Sequence, residues 1–533
     1  MTKSRASIRV FHFVLLLCAA AFYLFFILRT GFLVDGHRQF TLVDDAMVSM
    51  RYAQHLASGH GITWNIGEPP IQGYTNPGWM LYMAGLHLLS ISSSMLSLLV
   101  MLTGLVILLL NIHIVKLIAE QMCPGNWPVS ALSTCIVAFY FPLVFWTLRG
   151  MELGLQCLLV DTALLLCFRL MNDARWPTLI ALAALILAAL IVRIDASIQM
   201  SIIALFVAIS SIKQKRWGRF ALISTIAGAV FFLLLIYERI YFGSLAPNTF
   251  YLKVTGVTLM ERMLSGAKYL ISVTLGDIAL PILIITGCLI FLGGRVFRPQ
   301  STLLICLFSA QVVYSLYVGG DFAENDLGGA NRFITQGMPA LILLMSTALI
   351  GIYQEIRNML SLSSTPSNRR AMFMVSYVAV AIVLLISGDE WVQWCKHNAP
   401  MLDSDILRTR IGILIRKGTD GQARVAAHAA GQIPYYSERY TIDLLGKSDP
   451  VIAKGPPARS FIPGHNKWNY DYSIRQLKPD VVADEWGLLK DWMIKNGHGY
   501  VRLPNGIWVN ASSNHIAIDS LSQSLEDSFR FPH

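Results

Sequence analysis

Charged side chains are scarce in this sequence. They make up only 14% of the 533 residues, whereas 55% of the residues are hydrophobic. A soluble domain averages about a quarter charged residues. The apolar residues also fall in blocks of about 17–25, the length that crosses a hydrocarbon core of about 30 Å. The composition therefore predicts a polytopic membrane protein.

The common signatures of metal and nucleotide sites are also missing. The eight cysteines form no CxxC or Cys/His cluster, which argues against a structural zinc site. Cys395 is the one cysteine of the polar C-terminal third, so an internal disulfide framework is excluded there. There is no P-loop, and no GxGxxG follows a strand. The net charge of +10 comes from short loops between apolar blocks, so we expect no nucleic-acid partner.

The basic loops predict a topology. The first apolar run follows a basic N-terminus and is longer than the core of a signal peptide, so we interpret it as a retained helix. If the basic clusters face the cytoplasm, one of the blocks 77–92 and 94–118 cannot span, and we choose 77–92 as an interfacial helix. The N-terminus then lies inside and the C-terminus outside. Eleven spans are expected, near residues 11–28, 94–118, 129–147, 153–170, 177–194, 196–212, 219–240, 278–293, 301–318, 332–353 and 371–388.

The chain divides into a membrane domain, 1–390, and a soluble domain, 391–533. The second part opens with an amphipathic stretch near 404–417, and an Asn505–Gly506 pair indicates a hairpin turn. We expect a mixed α/β domain. Its strands are expected near 423–428, 441–445, 480–483 and 500–510, and its further helices near 470–477 and 485–496.

The first outer loop, 35–76, carries two adjacent carboxylates, Asp44 and Asp45. Neighbouring side chains diverge on a helix, so one carboxylate can face a substrate while the other caps the following helix or binds a cation. We expect Asp44 to be a general base and Asp45 to be the cap or support. A helix cap alone would explain one aspartate and leave the other. His60 is the candidate polar contact in the Gly- and Pro-rich segment that follows.

Several ionisable residues lie at the outer ends of the apolar blocks. Arg193 and Asp195 form a tight turn, and Arg332 follows a Gly-rich segment. Snorkelling at helix ends is the alternative explanation for such residues. Arginines at headgroup level could bind a phosphate. A divalent cation is possible, held jointly by Asp44, Asp45, Glu152 and Asp321.

Motifs along most of the chain resemble one family. They include DDAMVSMRYAQHLASGHGITWN in the first outer loop, QGYTNPGW at 72–79, GMELG at 150–154, R-x-D at 193–195, YFGSLAPNTFYLK at 241–253, GGD at 319–321, NRF at 331–333, AAGQIPYYSERYTIDLLGKSDPVIA at 429–453, PGHNKW at 463–468 and KPDVV at 478–482. The set resembles the GT-C superfamily of integral-membrane glycosyltransferases. More narrowly, it is similar to the bacterial group that includes the mycobacterial cell-wall arabinofuranosyltransferase of the terminal β-(1→2) type.

The resemblance implies a polyprenyl-phosphate-sugar donor, a catalytic aspartate in the first outer loop, an extracytoplasmic active site and a C-terminal domain that handles the acceptor. We therefore expect an inverting glycosyltransferase of a bacterial cytoplasmic membrane that modifies a cell-envelope glycan or glycolipid. A lipid-linked glycan transporter or flippase is the alternative, although no internal repeat is seen. The donor residues are expected to be Glu152, Arg193, Asp195, Lys253, Asp321 and Arg332. The acceptor or loop contacts are expected to be His60, Tyr74, Asn76, His465, Lys467 and Trp468.

Overall fold

The computed structural model describes residues 2–172, 175–271, 275–292, 298–322, 331–359 and 368–522. The helices of the membrane part are α1 Thr2–Arg29, α2 Asp44–Ala57, α3 Pro77–His87, α4 Ser93–Met122, α5 Trp127–Phe139, α6 Phe141–Leu148, α7 Leu153–Asn172, α8 Trp176–Val192, α9 Ser197–Lys213, α10 Trp217–Phe242, α11 Asn248–Val254, α12 Leu259–Tyr269, α13 Leu275–Leu292, α14 Pro299–Val318, α15 Arg332–Thr335, α16 Met338–Met359 and α17 Asn368–His397.

Within the described ranges, eight helices are long and apolar enough to cross a membrane, and the bent pair of α5 and α6 makes a ninth if it forms one span. Each of these overlaps a predicted span. The predicted spans near 177–194 and 278–293 correspond to the shorter apolar helix α8 and to α13. The multi-pass helical architecture is therefore confirmed, and the total of eleven spans stays a prediction.

Two predicted spans are interrupted. The block at 129–147 bends by 50° between α5 and α6. Pro142 lies in the first turn of α6, where its missing N–H costs no hydrogen bond, so a new helix begins there. The block at 332–353 is likewise divided into the short helix α15 and the long helix α16.

The helix α3 is short, as expected for a segment that lies at the interface. Its 11 residues give a length of about 16 Å, well below a hydrocarbon core of about 30 Å. Its end contacts the soluble domain, because the Nε2 atom of His87 lies 3.0 Å from the Tyr435 hydroxyl. The helix therefore lies on the same side of the helical bundle as the soluble domain.

The soluble domain is a mixed α/β domain, as predicted, and contains a five-stranded sheet. Its elements are α18 Leu402–Gly418, β3 Arg424–Ala427, α19 Gln432–Ser437, β4 Tyr440–Asp443, α20 Pro450–Lys454, β5 Val481–Val482, α21 Leu489–Asn496, β6 Tyr500–Arg502, β7 Trp508–Asn510 and α22 Ile518–Leu521, with a π-helical turn at Asp471–Gln476. The strand order is β4-β3-β5-β7-β6. Strands β4, β3 and β5 are parallel, and β6 and β7 form the hairpin expected around Asn505–Gly506.

Helices cover both faces of this sheet. Ile411 and Ile415 of α18 pack on one face, and Leu489 and Met493 of α21 pack on the other. The last long helix, α17, continues to His397, so the boundary expected at residue 390 falls inside that helix. The soluble domain's own elements begin with α18 at Leu402.

Hydrogen bonds join the first outer loop to the soluble domain. This loop opens with a hairpin of β1 Phe32–Val34 and β2 His37–Gln39 and continues into α2. The Arg51 guanidinium of α2 donates to the carbonyls of Trp64, Pro434 and Arg439 at 2.6 to 2.9 Å. The Trp64 indole in turn donates to the Thr441 carbonyl at 2.9 Å. The loop is thus held between the helical bundle and the edge of the sheet.

Candidate functional site

Asp44 is the first residue of α2 and is attached to the soluble domain. Its Oδ1 atom accepts the backbone N–H of Gly431 at 2.9 Å. Its Oδ2 atom lies 3.5 Å from the Lys447 ammonium, longer than the usual charge-assisted hydrogen bond. The side chain is mostly buried and lines a cavity. One carboxylate oxygen is therefore fixed by the backbone, and the other has only a loose contact.

Asp45 lies between two cations. Its Oδ1 atom is 2.6 Å from the Lys447 ammonium, and its Oδ2 atom is 2.5 Å from Nη1 of Arg332. Burial alone would raise the pKa of the Asp45 carboxyl, but these two cations outweigh burial and hold that pKa well below its ordinary value. The helix-cap role expected for an aspartate is wrong, because Val43 is the N-cap residue and makes no side-chain cap. Asp45 instead holds two basic side chains in place.

Arg332 is fixed by Asp321 as well as by Asp45. Its Nε and Nη2 atoms donate to the two Asp321 oxygens at 2.8 and 2.9 Å, and its backbone N–H donates to Asp321 at 3.0 Å. Gly319 and Gly320 have φ values of 95° and 87°, and this turn after α14 brings Asp321 back to the arginine. The guanidinium also lies over the Trp146 ring, 5.0 Å from its centroid.

Lys447 projects from a tight turn after β4. The Asp443 carboxylate accepts the backbone N–H groups of Leu445, Gly446 and Ser448 at 2.6 to 3.0 Å. Gly446 occupies the turn with φ of 81°, and an added Cβ would lie 2.7 Å from the Ile452 side chain. This local network directs Lys447 away from the sheet and toward Asp45.

A second cluster surrounds Arg193. Nη1 of this arginine lies 2.5 Å from Glu152, and Nε donates to Asp195 at 2.9 Å. Asn76 donates to the other Glu152 oxygen at 2.6 Å and accepts from the Ser49 hydroxyl at 2.7 Å. The structure therefore brings together four residues expected from the sequence, Asn76, Glu152, Arg193 and Asp195, next to α2.

Two cavities meet at Asp45, next to Asp44. The arginine cavity, of about 280 Å³, is lined by Arg193, Arg332 and Lys253 among others. The sheet cavity, of about 310 Å³, is lined by Asp44 and by residues that follow the strands. Five residues line both cavities, namely Asp45, Phe322, Arg332, Lys447 and His465. A small group bound in one cavity would thus lie next to a group bound in the other.

The arginine cavity combines cations with apolar residues. Burial, followed by the nearby Arg332 guanidinium, lowers the pKa of Lys253 to about 8. Tyr74 is buried on the cavity wall with its ring 4.8 Å from that of Tyr52. Leu245, Phe250 and Tyr317 also line this cavity and remain exposed to the surroundings. The cavity therefore joins a basic interior to an exposed apolar rim.

His465 is also placed at the junction, where its ring stacks on that of Phe322 at 3.7 Å. The other three residues expected to contact an acceptor do not line the cavities described above. His60 is exposed between Gly59 and Gly61, both with positive φ. The buried Lys467 ammonium donates to the carbonyls of Tyr251 and Ala453 at 3.2 and 2.6 Å, so it holds loops together. Trp468 stacks on Tyr470.

Sequence reasoning missed several residues of the site. Lys447 lies within the motif at 429–453 but is not among the predicted site residues, although a lysine that follows a predicted strand and a glycine is a usable signal. His428, Asp484 and Trp486 also line the sheet cavity. His428 ends one predicted strand and Asp484 directly follows another, but only the sheet order brings these two strand ends together.

A joint cation site is not found for the four carboxylates proposed to hold one. Among the described residues, no group of three or more His, Cys, Asp or Glu side chains is arranged to bind a metal ion. Instead Asp45 and Asp321 are paired with Arg332, and Glu152 is paired with Arg193. The carboxylates of this region orient basic side chains.

Comparison with known families covers only the soluble part. A family described as "Domain of unknown function (DUF8728)" matches residues 401–516. No curated protein matches the sequence.

Solved structures share the fold of most of the chain. ArnT from Cupriavidus metallidurans bound to undecaprenyl phosphate has a TM-score of 0.56 at 12% identity, with 94% of this chain and 98% of that chain covered. The same protein in the apo state has a TM-score of 0.52 at 13% identity, with 81% of this chain and 85% of that chain covered. The Archaeoglobus fulgidus oligosaccharyltransferase AglB, in complex with an inhibitory peptide and a dolichol-phosphate, has a TM-score of 0.51 at 10% identity. The match covers 81% of this chain and 64% of AglB. The chain thus has a GT-C fold.

Proposed function

We propose that the protein is an inverting glycosyltransferase that moves a sugar from a polyprenyl-phosphate donor to a glycan or glycolipid of the cell envelope. The observation that carries this proposal is the meeting of the two cavities at Asp45, directly beside Asp44, which lines the sheet cavity. The cations of the arginine cavity suit a phosphate, and its exposed apolar rim suits a lipid chain. Structures with this fold have been determined with undecaprenyl phosphate and with a dolichol-phosphate, which supports a lipid-phosphate donor here.

The reaction needs a base for the acceptor and positive charge for the leaving group. We assign the base to Asp44, because one oxygen is anchored by Gly431 and the other is not tightly paired. The acceptor oxygen attacks the anomeric carbon as its proton passes to Asp44. The bond from that carbon to the phosphate oxygen breaks, and the electron pair leaves with the polyprenyl phosphate. Attack opposite to the leaving group inverts the anomeric centre.

Arg332, Lys447 and Lys253 would bind the departing phosphate. Asp45 holds the first two of these cations at 2.5 and 2.6 Å. A carboxylate with such a depressed pKa is a weak base, so Asp45 is better suited to support than to proton transfer. The Arg193 cluster would position the sugar through Asn76, Glu152 and Asp195.

The transferred sugar is proposed to be arabinofuranose, because the quoted motifs resemble the terminal β-(1→2) arabinofuranosyltransferase group. The same resemblance supports a bacterial cytoplasmic membrane and an extracytoplasmic active site, and the basic loops support a cytoplasmic N-terminus and an extracytoplasmic soluble domain. We also propose that a membrane domain, 1–390, is followed by a soluble domain, 391–533, with the end of α17 as the connection between them.

The test is a transfer assay with the purified protein in lipid nanodiscs. The donor is a polyprenyl-phosphate arabinofuranose and the acceptor an arabinofuranosyl oligosaccharide, with product mass and anomeric configuration as readouts. We expect a product whose anomeric configuration is opposite to that of the donor, as inversion requires, and Asp44→Asn should lower the rate by about 100- to 10,000-fold. Asp471→Asn, an exposed acid elsewhere in the soluble domain, is the matched control.

Two outcomes would contradict the proposal. If the protein moved labelled lipid donor across liposomes and formed no product, the flippase alternative would replace it. If Asp45→Asn abolished transfer while Asp44→Asn kept near-wild-type rates, the roles of the two aspartates would be reversed.

A further inference from the structure

The carboxyl ends of three parallel strands meet at the sheet cavity. Strand β3 lies between β4 and β5 and is parallel to both. His428 follows β3, Lys447 follows the turn after β4, and Asp484 comes shortly after β5, and all three line the cavity. In open parallel sheets, ligands bind in the crevice outside the carboxyl ends of the strands. The topology therefore indicates a binding site at this edge.

His428 and Asp484 form a fixed pair in that crevice. Nδ1 of His428 lies 2.7 Å from Oδ1 of Asp484, and the backbone N–H groups of His428 and Ala429 donate to the same carboxylate at about 3.1 Å. Nε2 of the histidine lies 3.2 Å from the Tyr470 hydroxyl. The proposed transfer step uses neither residue, although both are held rigidly on the wall of the active-site cavity.

An aromatic wall stands beside this pair. The Trp486 ring lies 5.7 Å from the His428 ring and 5.8 Å from the His465 ring. The Arg459 guanidinium lies 5.1 Å from the Trp486 ring, which fixes the indole, and the side chain remains partly exposed. A sugar ring has an apolar C–H face and a rim of hydroxyls, so it suits a cavity that combines an indole with a few placed polar groups.

The same loop connects this crevice to the base. His428 begins the segment that leads to Gly431, and the Gly431 N–H anchors Asp44. A sugar bound against His428 would therefore have a hydroxyl close to Asp44, while the junction residues Lys447 and His465 lie on the side of the donor.

We propose that the sheet cavity is the acceptor subsite, in which Trp486 packs against the terminal sugar ring of the acceptor glycan and Asp484, oriented by His428, binds its hydroxyls. This inference rests on the proposed function for the identity of the bound glycan. The sheet of the soluble domain then takes a direct part in substrate recognition beside the proposed base, Asp44. Trp486 and His428 are its specificity-determining residues.

The test compares Trp486→Ala and His428→Gln with Trp492→Ala in nanodiscs. Trp492 is a partly buried tryptophan of the same domain that packs on Tyr470 and does not line the described cavities, so its variant controls for loss of an indole. Two binding probes are titrated without turnover: an arabinofuranosyl tetrasaccharide and plain polyprenyl phosphate. Acceptor and donor KM values are then measured by transfer.

We expect Trp486→Ala to weaken tetrasaccharide binding and raise the acceptor KM about tenfold or more, with lipid phosphate binding unchanged. His428→Gln should also weaken tetrasaccharide binding, and Trp492→Ala should change the affinity for neither ligand. Unchanged tetrasaccharide affinity in both cavity variants would overturn the inference, as would equal losses for both ligands. If the wild type binds the glycan through Trp486 but transfers no sugar, the proposed function fails and the subsite stands.

Discussion

The backbone N–H of Gly431 donates to the Asp44 carboxylate at 2.9 Å, although 387 positions separate the two residues. This bond joins the first outer loop to the soluble domain at the proposed base. A Cβ atom added at Gly431 would lie 2.1 Å from the Asp44 carbonyl oxygen and 2.7 Å from its Oδ1 atom. The close approach therefore requires a residue without a side chain at position 431. Steric contact, and not a left-handed backbone conformation, makes glycine necessary here.

Gly431→Ala should displace Asp44 and lower the transfer rate by about 100-fold, because small misplacements of a reacting group are costly. Gly421→Ala is the matched control, since an added Cβ there has no atom within 4 Å. Transfer and thermal unfolding are measured for both. A Gly431→Ala protein with wild-type kinetics would show that this bond does not position the base.

Sequence patterns were sufficient for the elements that depend on local periodicity. The long apolar blocks predicted the helices of the membrane part, and alternating runs with an Asn505–Gly506 turn predicted the hairpin of β6 and β7. The first-loop aspartates and Arg332 were found because charged residues are rare beside apolar blocks. Their ion pair, however, joins positions 287 residues apart and has no local signal.

Some predicted contact residues lie outside the two cavities, and some cavity residues were not predicted, because local sequence patterns do not show long-range contacts. Lys467 looks like a surface lysine in PGHNKW, yet its ammonium is buried on two carbonyls that belong to distant loops. His60 was selected as a lone polar residue, but glycines on both sides place it on an exposed turn. Conversely, His428 becomes a candidate only when the sheet order shows that its strand ends beside that of Asp484.

A fully buried ion pair is expected to hold the soluble domain on the bundle. Nη2 of Arg149 lies 2.6 Å from Asp405 with both side chains 0% exposed. Removing one partner leaves an uncompensated buried charge, which typically costs about 3–5 kcal/mol. Asp405→Ala should therefore lower the unfolding temperature markedly, and Arg149→Met with Asp405→Leu should recover part of the loss.

The control is an exposed ion pair between the soluble domain and the hairpin of β1 and β2. Lys417 and Asp35 lie 2.6 Å apart but are 54% and 59% exposed. Such pairs contribute about 0–1 kcal/mol, so Lys417→Ala should leave the unfolding temperature nearly unchanged. Equal effects of Asp405→Ala and Lys417→Ala would refute the importance of the buried pair.

Arg332 is expected to set the affinity for the donor. Arg332→Lys keeps one charge but loses the planar fork that contacts Asp321 and Asp45, so the donor KM should rise about tenfold. Arg332→Ala should raise the donor KM further. This substitution is combined with Asp321→Asn, so that the double variant has no unpaired buried carboxylate at position 321. The acceptor KM should stay constant in all of them.

Donor titrations by initial rate provide the measurement. Arg416→Ala is the control, because Arg416 is 53% exposed and forms a surface pair with Glu438. If donor affinity were unchanged in Arg332→Ala, this arginine would have no part in phosphate binding and Lys447 would be the remaining candidate at the junction.

Lys253 gives the proposed donor site a pH dependence. Burial and the neighbouring Arg332 lower the pKa of Lys253 to about 8, while Asp321 and Asp45 act in the opposite direction. The ammonium is therefore present below this value and is lost as the pH rises through it. If the cation binds the donor phosphate, kcat/KM for the donor should fall above about pH 8.

Lys253→Arg separates this titration from other groups, because a guanidinium stays protonated throughout the range. The variant should keep donor kcat/KM nearly level from neutral pH to well above the pKa of Lys253, whereas Lys268→Arg, outside the cavities described above, should retain the wild-type fall. A bound phosphate favours the protonated amine, so in the wild type the fall in kcat should occur at higher pH than the fall in kcat/KM. An identical alkaline fall in Lys253→Arg would assign the titration to another group.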